Sequence, residues 1–101
     1  MQLDLENDLS VYRVFEDKLA LKFRDKHSND DVLLNRIDKK YLRLSVNPYF
    51  EADSSFRSKK CPGCLKTKVG AYRIIYHINE SNKTIQILDV GPRGSIYKKW
   101  K

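Results

Sequence analysis

After Cys64 the hydrophobic period of this chain changes. Before it, apolar residues recur at helical spacing; after it, they alternate with polar ones. Leu19, Ala20 and Phe23 form one helical stripe, in a helix expected to open at Glu16-Asp17 and end near His27. Ser28-Asn29-Asp30 is a turn and cap cluster. It leads into a second helix with Leu33, Ile37, Tyr41 and Leu44 at helical spacing, stopped by Asn47-Pro48. Upstream, Leu9 to Phe15 can alternate as a short strand. Downstream, Leu65–Val69, Tyr72–Ile78 and Lys83–Val90 read as three strands, Gly91–Gly94 as a loop, and Ser95–Trp100 as a final edge strand. The expected fold class is α+β: a strand and two helices packed on one face of an antiparallel sheet. The pattern shows no repeat. It predicts an N-terminal extension over residues 1–8 and one domain over residues 9–101.

Charge divides the chain differently. Residues 1–56 carry nine Lys/Arg against eleven Asp/Glu, net −2. Residues 57–101 carry eleven against two, net +9, with only Glu80 and Asp89 acidic. A half so basic is suited to phosphates. No apolar run approaches the roughly 18–20 residues of a membrane span. The acidic start MQLDLENDLS lacks the apolar core of a secretory signal, so a cytoplasmic protein is expected.

Alternation then gives the sheet a chemistry. Leu65, Thr67 and Val69 share one face of their strand. Lys66 and Lys68 share the other, roughly 7 Å apart at about 3.3 Å per residue. In the next strand Tyr72, Ile74, Tyr76 and Ile78 form the apolar face, and Arg73, Ile75 and His77 oppose it. With Leu65, Val69, Tyr72 and Ile74 under the helices, Lys66, Lys68 and Arg73 are expected to emerge together on the uncovered face. Such a patch can bind RNA or cleave it. RNA carries its own nucleophile, the 2′-hydroxyl. The protein need only align it, take its proton, stabilise the added negative charge and protonate the leaving 5′-oxygen. Crowded cations supply the stabilisation, and their mutual repulsion favours losing one proton. Tyr97, four residues after Arg93, offers a ring for base stacking.

The stretch CLKTKVGAYRIIYHINESNKTIQILDVGPRGSIY, Cys64 to Tyr97, resembles the C-terminal half of the RelE/ParE toxin superfamily of type II toxin–antitoxin modules. Its VGxYRIIY run, hairpin, VGxR strand end and nearby IY carry the resemblance. The upstream order of strand, helix and helix is similar too, so it spans roughly residues 9–100. RelE-type members cut messenger RNA in the ribosomal A site without a metal or cofactor. ParE-type members poison DNA gyrase by protein binding and lack the catalytic set. The resemblance implies the RelE set here: Lys68 as base, Arg93 as acid, Lys66 and Arg73 stabilising the phosphorane, and Tyr97 stacking. It implies mRNA on the ribosome and ribosomal RNA as partners, and a cognate acidic antitoxin that neutralises the toxin. The alternative it carries is a ParE-like gyrase inhibitor. Pro92 before Arg93 departs from the family pattern and stiffens that loop, and two further features depart from it. Only four residues follow Tyr97, too few for a full C-terminal helix, and Cys61-Pro62-Gly63-Cys64 is not part of it.

The cysteine pair itself leaves three readings open: half a zinc site, a local or reversible disulfide, or free thiols. His77 reads as a satisfied sheet histidine away from that loop.

Overall fold

The computed structural model describes residues 11–53 and 56–101. The expected N-terminal extension and the first two residues of the expected strand lie outside the described residues. The chain runs β1 (Arg13–Glu16), α1 (Lys18–Lys26), α2 (Asp31–Val46), β2 (Leu65–Val69), β3 (Tyr72–Asn79), β4 (Thr84–Pro92) and α3 (Arg93–Trp100). Among the described residues, three helices and a four-stranded sheet of order β1-β4-β3-β2 make the α+β class expected. The sheet is mixed rather than antiparallel, because β1 joins β4 in parallel, Arg13 opposite Thr84 through Glu16 opposite Ile87. The two helices between them provide the long crossover that parallel strands need.

Helix α2 begins where the sequence marks it: the Asp30 carboxylate caps the Leu33 amide at 3.1 Å. Helix α1 starts two residues later than expected. Glu16 closes β1 and serves as a hub there, accepting from the Arg24 guanidinium at 2.9 Å and from the Tyr41 hydroxyl at 2.7 Å. Arg24 also reaches Asp38 at 2.7 Å, so one charged cluster ties β1 to both helices. Burial and the Glu16 carboxylate push the Tyr41 phenol up.

The helices bury Ala20, Phe23, Leu33, Ile37 and Leu44 against Val69, Ile74, Tyr76, Ile85, Ile87 and Val90, with Leu65 and Tyr72 packed at the margin. The buried Tyr76 hydroxyl is satisfied by the Pro48 carbonyl at 2.6 Å.

The opposite face holds a second, smaller cluster. A bulge after Ile75 sets Ile75 opposite Asp89 but Tyr76 opposite Ile87. Ile75 packs with Cys64 and Ile96, and Phe56, Cys61, Leu88 and Trp100 close around them. This cluster exists because residues 93–100 form a helix and not the expected edge strand. Ile96 and Trp100 are one helical turn apart and both meet the sheet, a spacing that alternation does not reveal. The helix starts at Arg93, four residues before Tyr97, so it makes two turns although little chain follows Tyr97. Gly91 belongs to β4 and not to a loop, and Ile96 packs beside it at ordinary contact distance.

Glu80 pins the β3–β4 turn. It accepts from the Tyr12 hydroxyl at 2.7 Å, from Lys83 Nζ at 2.6 Å and from the Tyr49 hydroxyl. Lys83 first, then Tyr49 and Tyr12, hold its carboxyl down to about 2. The folded value lies below the unfolded one, so this stability is complete above roughly pH 4.5 and disappears as pH falls toward 2. Urea melts between pH 6 and pH 2 are therefore expected to lose stability less steeply in Glu80→Gln than in the wild type. Parallel slopes would remove Glu80 from the acid response.

Candidate functional site

The five residues singled out in the sequence all lie at the end of the sheet where β2, β3 and β4 meet α3, but they are not equally accessible. Across the strands, Lys66 stands opposite Ile75 and Ile75 opposite Asp89. One step along, Lys68 stands opposite Arg73 and Arg73 opposite Gly91. Lys68 and Arg93 are exposed, and Arg73 and Tyr97 are half-buried. The exception is Lys66, whose side chain is 0% exposed. The face expected to be open is roofed by α3 and by the segment from Phe56 to Cys64. Lys66 Nζ sits 4.0 Å from the Tyr97 ring centroid, 5.6 Å from that of Phe56, and 3.3 Å from an Asp53 oxygen. Buried in this way, its ammonium holds Tyr97 through the ring face as well as contributing charge.

The hairpin between β2 and β3 sets the positions of Lys68 and Arg73. Gly70 there has φ +58°, and the Arg36 guanidinium occupies the space a Cβ would need, 2.6 Å from that position. Arg73 folds back over the turn and donates from one guanidinium nitrogen to the Gly70 and Tyr72 carbonyls, each at 2.9 Å. Its Nε, also buried, has no hydrogen-bond partner among the described residues. Arg93 opens α3, and its amide donates to the Ala71 carbonyl at 3.2 Å, tying the helix start to the same hairpin. Tyr97 follows one turn later, so Arg93 and Tyr97 share a helix face.

Asp89 fixes α3 to the sheet. It is 4% exposed and accepts from Trp100 Nε1 at 2.8 Å and from Lys99 Nζ at 3.0 Å. Asp89→Ala leaves both donors without that acceptor and is expected to cost about 1–3 kcal/mol. Trp100 is the chain's one tryptophan, so its emission should shift to the red if α3 detaches. Unchanged emission and melting point would show that Asp89 does not hold the helix.

A basic groove runs from this corner onto α2, unrecognised in the sequence. Arg36, Lys39, Lys40 and Arg43 of α2 line it with Lys68, Val69, Gly70 and Arg73. The four helix cations fall at i, i+3, i+4 and i+7, the spacing of one helix face, and that is the signal that could have found them. Lys40 is already paired with Glu51 at 2.7 Å.

Two side readings change. Cys61 and Cys64 are joined by a disulfide, and among the described residues no group of three His, Cys, Asp or Glu side chains could hold a metal ion, which removes the zinc half-site. His77 is not remote from that loop: its Nε2 lies 3.9 Å from the position a Gly63 Cβ would take. Among the described residues no helix is long and apolar enough to cross a membrane.

A search of curated proteins finds no match. Among solved structures, the chain is similar to the RelBE2 toxin–antitoxin complex from Mycobacterium tuberculosis, with 26% identity and a TM-score of 0.65 over 81% of this chain and 98% of that one. It is also similar to the archaeal RelE–RelB complex from Pyrococcus horikoshii, with 27% identity and a TM-score of 0.64 over 83% of this chain and 97% of that one. Free Escherichia coli RelE, at 20% identity and a TM-score of 0.67 over 89% of this chain and 93% of that one, shares the fold. The model for the ParE toxin of type II toxin–antitoxin systems matches residues 11–97. The chain belongs to the RelE/ParE superfamily of type II toxins.

Proposed function

We propose that this toxin arrests translation by cutting messenger RNA in the ribosomal A site, with the RNA's own 2′-hydroxyl as nucleophile. The observation that carries the reading is the gathering of Lys66, Lys68, Arg73, Arg93 and Tyr97 at one end of the sheet, continuous with the groove on α2. In this reading Lys68, the exposed lysine of the strand pair, takes the 2′-hydroxyl proton. Arg73 and Lys66 stabilise the phosphorane, and Arg93 protonates the leaving 5′-oxygen. Tyr97 stacks on a base next to the cut. The α2 cations follow the RNA backbone outward, ribosomal RNA included. Lysines and arginines are weak acid–base groups compared with a histidine pair, so the ribosome is needed to shape the substrate. The chemistry uses no cofactor, since nucleophile and charge stabilisation come from RNA and side chains. A cytoplasmic site of action and a cognate acidic antitoxin complete the proposal; the similar Mycobacterium tuberculosis and Pyrococcus horikoshii structures are toxin–antitoxin complexes.

A second reading has its own support. The family model that matches is named for ParE, so gyrase inhibition by protein binding is the competitor. Inducing the chain in cells and mapping RNA ends separates the two. Cuts within codons of translated mRNA, leaving a 2′,3′-cyclic phosphate and a 5′-hydroxyl, support the nuclease. DNA damage with intact mRNA supports the gyrase poison.

A further inference from the structure

We propose that Cys61–Cys64 is a reversible thiol–disulfide site whose reduction by a dithiol uncovers Lys66. Four observations meet at this loop. The bond closes a ring of four residues, so opening it gives up little loop-closure stabilisation of the fold. The turn brings the two cysteines together: Gly63 takes φ +85°, and the Cys64 amide donates to the Cys61 carbonyl at 3.0 Å. Arg57, Lys59 and Lys101 line the groove beside Cys64, with the His77 ring against the turn, so an incoming anionic thiolate meets a cationic surface. Finally, the two sulfurs differ in access, because Cys64 is 5% exposed against Ile75 and Ile96 while Cys61 is only partly buried.

The exchange follows from that difference. One thiolate of the dithiol attacks Cys61 Sγ. The Cys61–Cys64 bond breaks with its electron pair on Cys64 Sγ, which takes up a proton. The dithiol's second thiolate then closes on the mixed disulfide and releases Cys61, which is protonated in turn. Two electrons and two protons have passed to the cysteine pair, and the dithiol leaves as a disulfide.

The consequence lies two residues along β2. Cys64 and Lys66 share the face covered by the Phe56–Cys64 segment, which lays Phe56 over Lys66 and anchors to α3 through Lys60 Nζ on the Lys99 carbonyl at 2.8 Å. The backbone through Pro62 and Gly63 already joins this segment to the strand, and the disulfide adds the cross-link that holds Cys61 against Cys64 in the cluster. With it closed, Lys66 is wholly buried and acts on a phosphate only at a distance. With it open, Cys61 and the residues before it are released from the cluster. Faster RNA cutting by the dithiol form rests on the proposed nuclease reading; the uncovering of Lys66 does not.

The test uses the full chain, air-oxidised or treated with dithiothreitol, then acetylated with an N-hydroxysuccinimide ester and mapped by mass spectrometry. Two thiols per chain are expected to appear on reduction. Lys66 acetylation should then quicken at least about tenfold, as a buried site does when its cover opens, while Lys68, exposed in both states, stays constant. A Cys61→Ser/Cys64→Ser chain should label Lys66 at the fast rate with or without dithiothreitol. The wild-type comparison decides alone if that variant does not fold. An oxidised chain already holding two thiols, a disulfide that dithiothreitol leaves intact, or a Lys66 rate unmoved by reduction would overturn the proposal. If Lys66 labelling follows the redox state and neither form cuts ribosome-bound mRNA, the thiol–disulfide site stands and the nuclease reading falls.

Discussion

Lys68→Ala is expected to slow single-turnover cutting of ribosome-bound mRNA by about 10²–10⁴-fold, the usual cost of removing a general base. Lys68 is the informative member of the pair because it is exposed, so truncation leaves neither a cavity nor an unpaired group. Its melting point should stay at the wild-type value. Lys66→Met, by contrast, exchanges a buried charge for an apolar chain of similar length, and fold stability should be unchanged or higher. Activity should still fall, because Tyr97 loses the ammonium beneath its ring and the site loses a cation. A Lys68→Ala chain that cuts at the wild-type rate would take the base role away from this residue.

Replacing Arg36, Lys39 and Arg43 together by alanine is expected to weaken ribosome binding on the order of 50-fold at 0.15 M salt, if each meets one phosphate and each contact contributes about 0.7 to the salt slope. The slope of log affinity against log salt should drop by about 2. Lys40 is left in place because its Glu51 partner makes it part of the fold. Bound-state cutting rates should change little, which distinguishes a surface that holds RNA from one that reacts with it. An unaltered salt slope would show that this groove does not meet phosphate.

Much of this was readable in the sequence, for physical reasons that also mark where reading stopped. The Leu33, Ile37, Leu44 stripe and the Tyr72, Ile74, Tyr76 alternation face one large core, so period alone identifies them. Ile96 and Trp100 meet a small core made by a helix that returns over the other face, and eight residues are too few for a period to stand out. Alternation correctly put Lys66 on the same side as Lys68. It carried no information on what would later cover half of that side. The α2 stripe was lost by averaging charge over half the chain, since Asp31 and Asp38 offset Arg36 and Lys39 in the sum while lying elsewhere on the helix. Parallel pairing of β1 was invisible because neither strand's own sequence specifies the direction of its neighbour.

That pairing also sets an order of assembly. β4 is central, bonded to β1 on one side and β3 on the other, and Arg13 waits for Thr84. On a chain emerging from its N-terminus, α1 and α2 can coil early, but the sheet they are to cover is still unmade. The hairpins β2–β3 and β3–β4 close locally; β1 docks afterwards, across the longest loop in the sheet, and its entropy cost falls late. Only β4 leads directly into Arg93 and Tyr97. The ribosome that makes this toxin therefore carries no assembled reactive face while most of the chain is being synthesised.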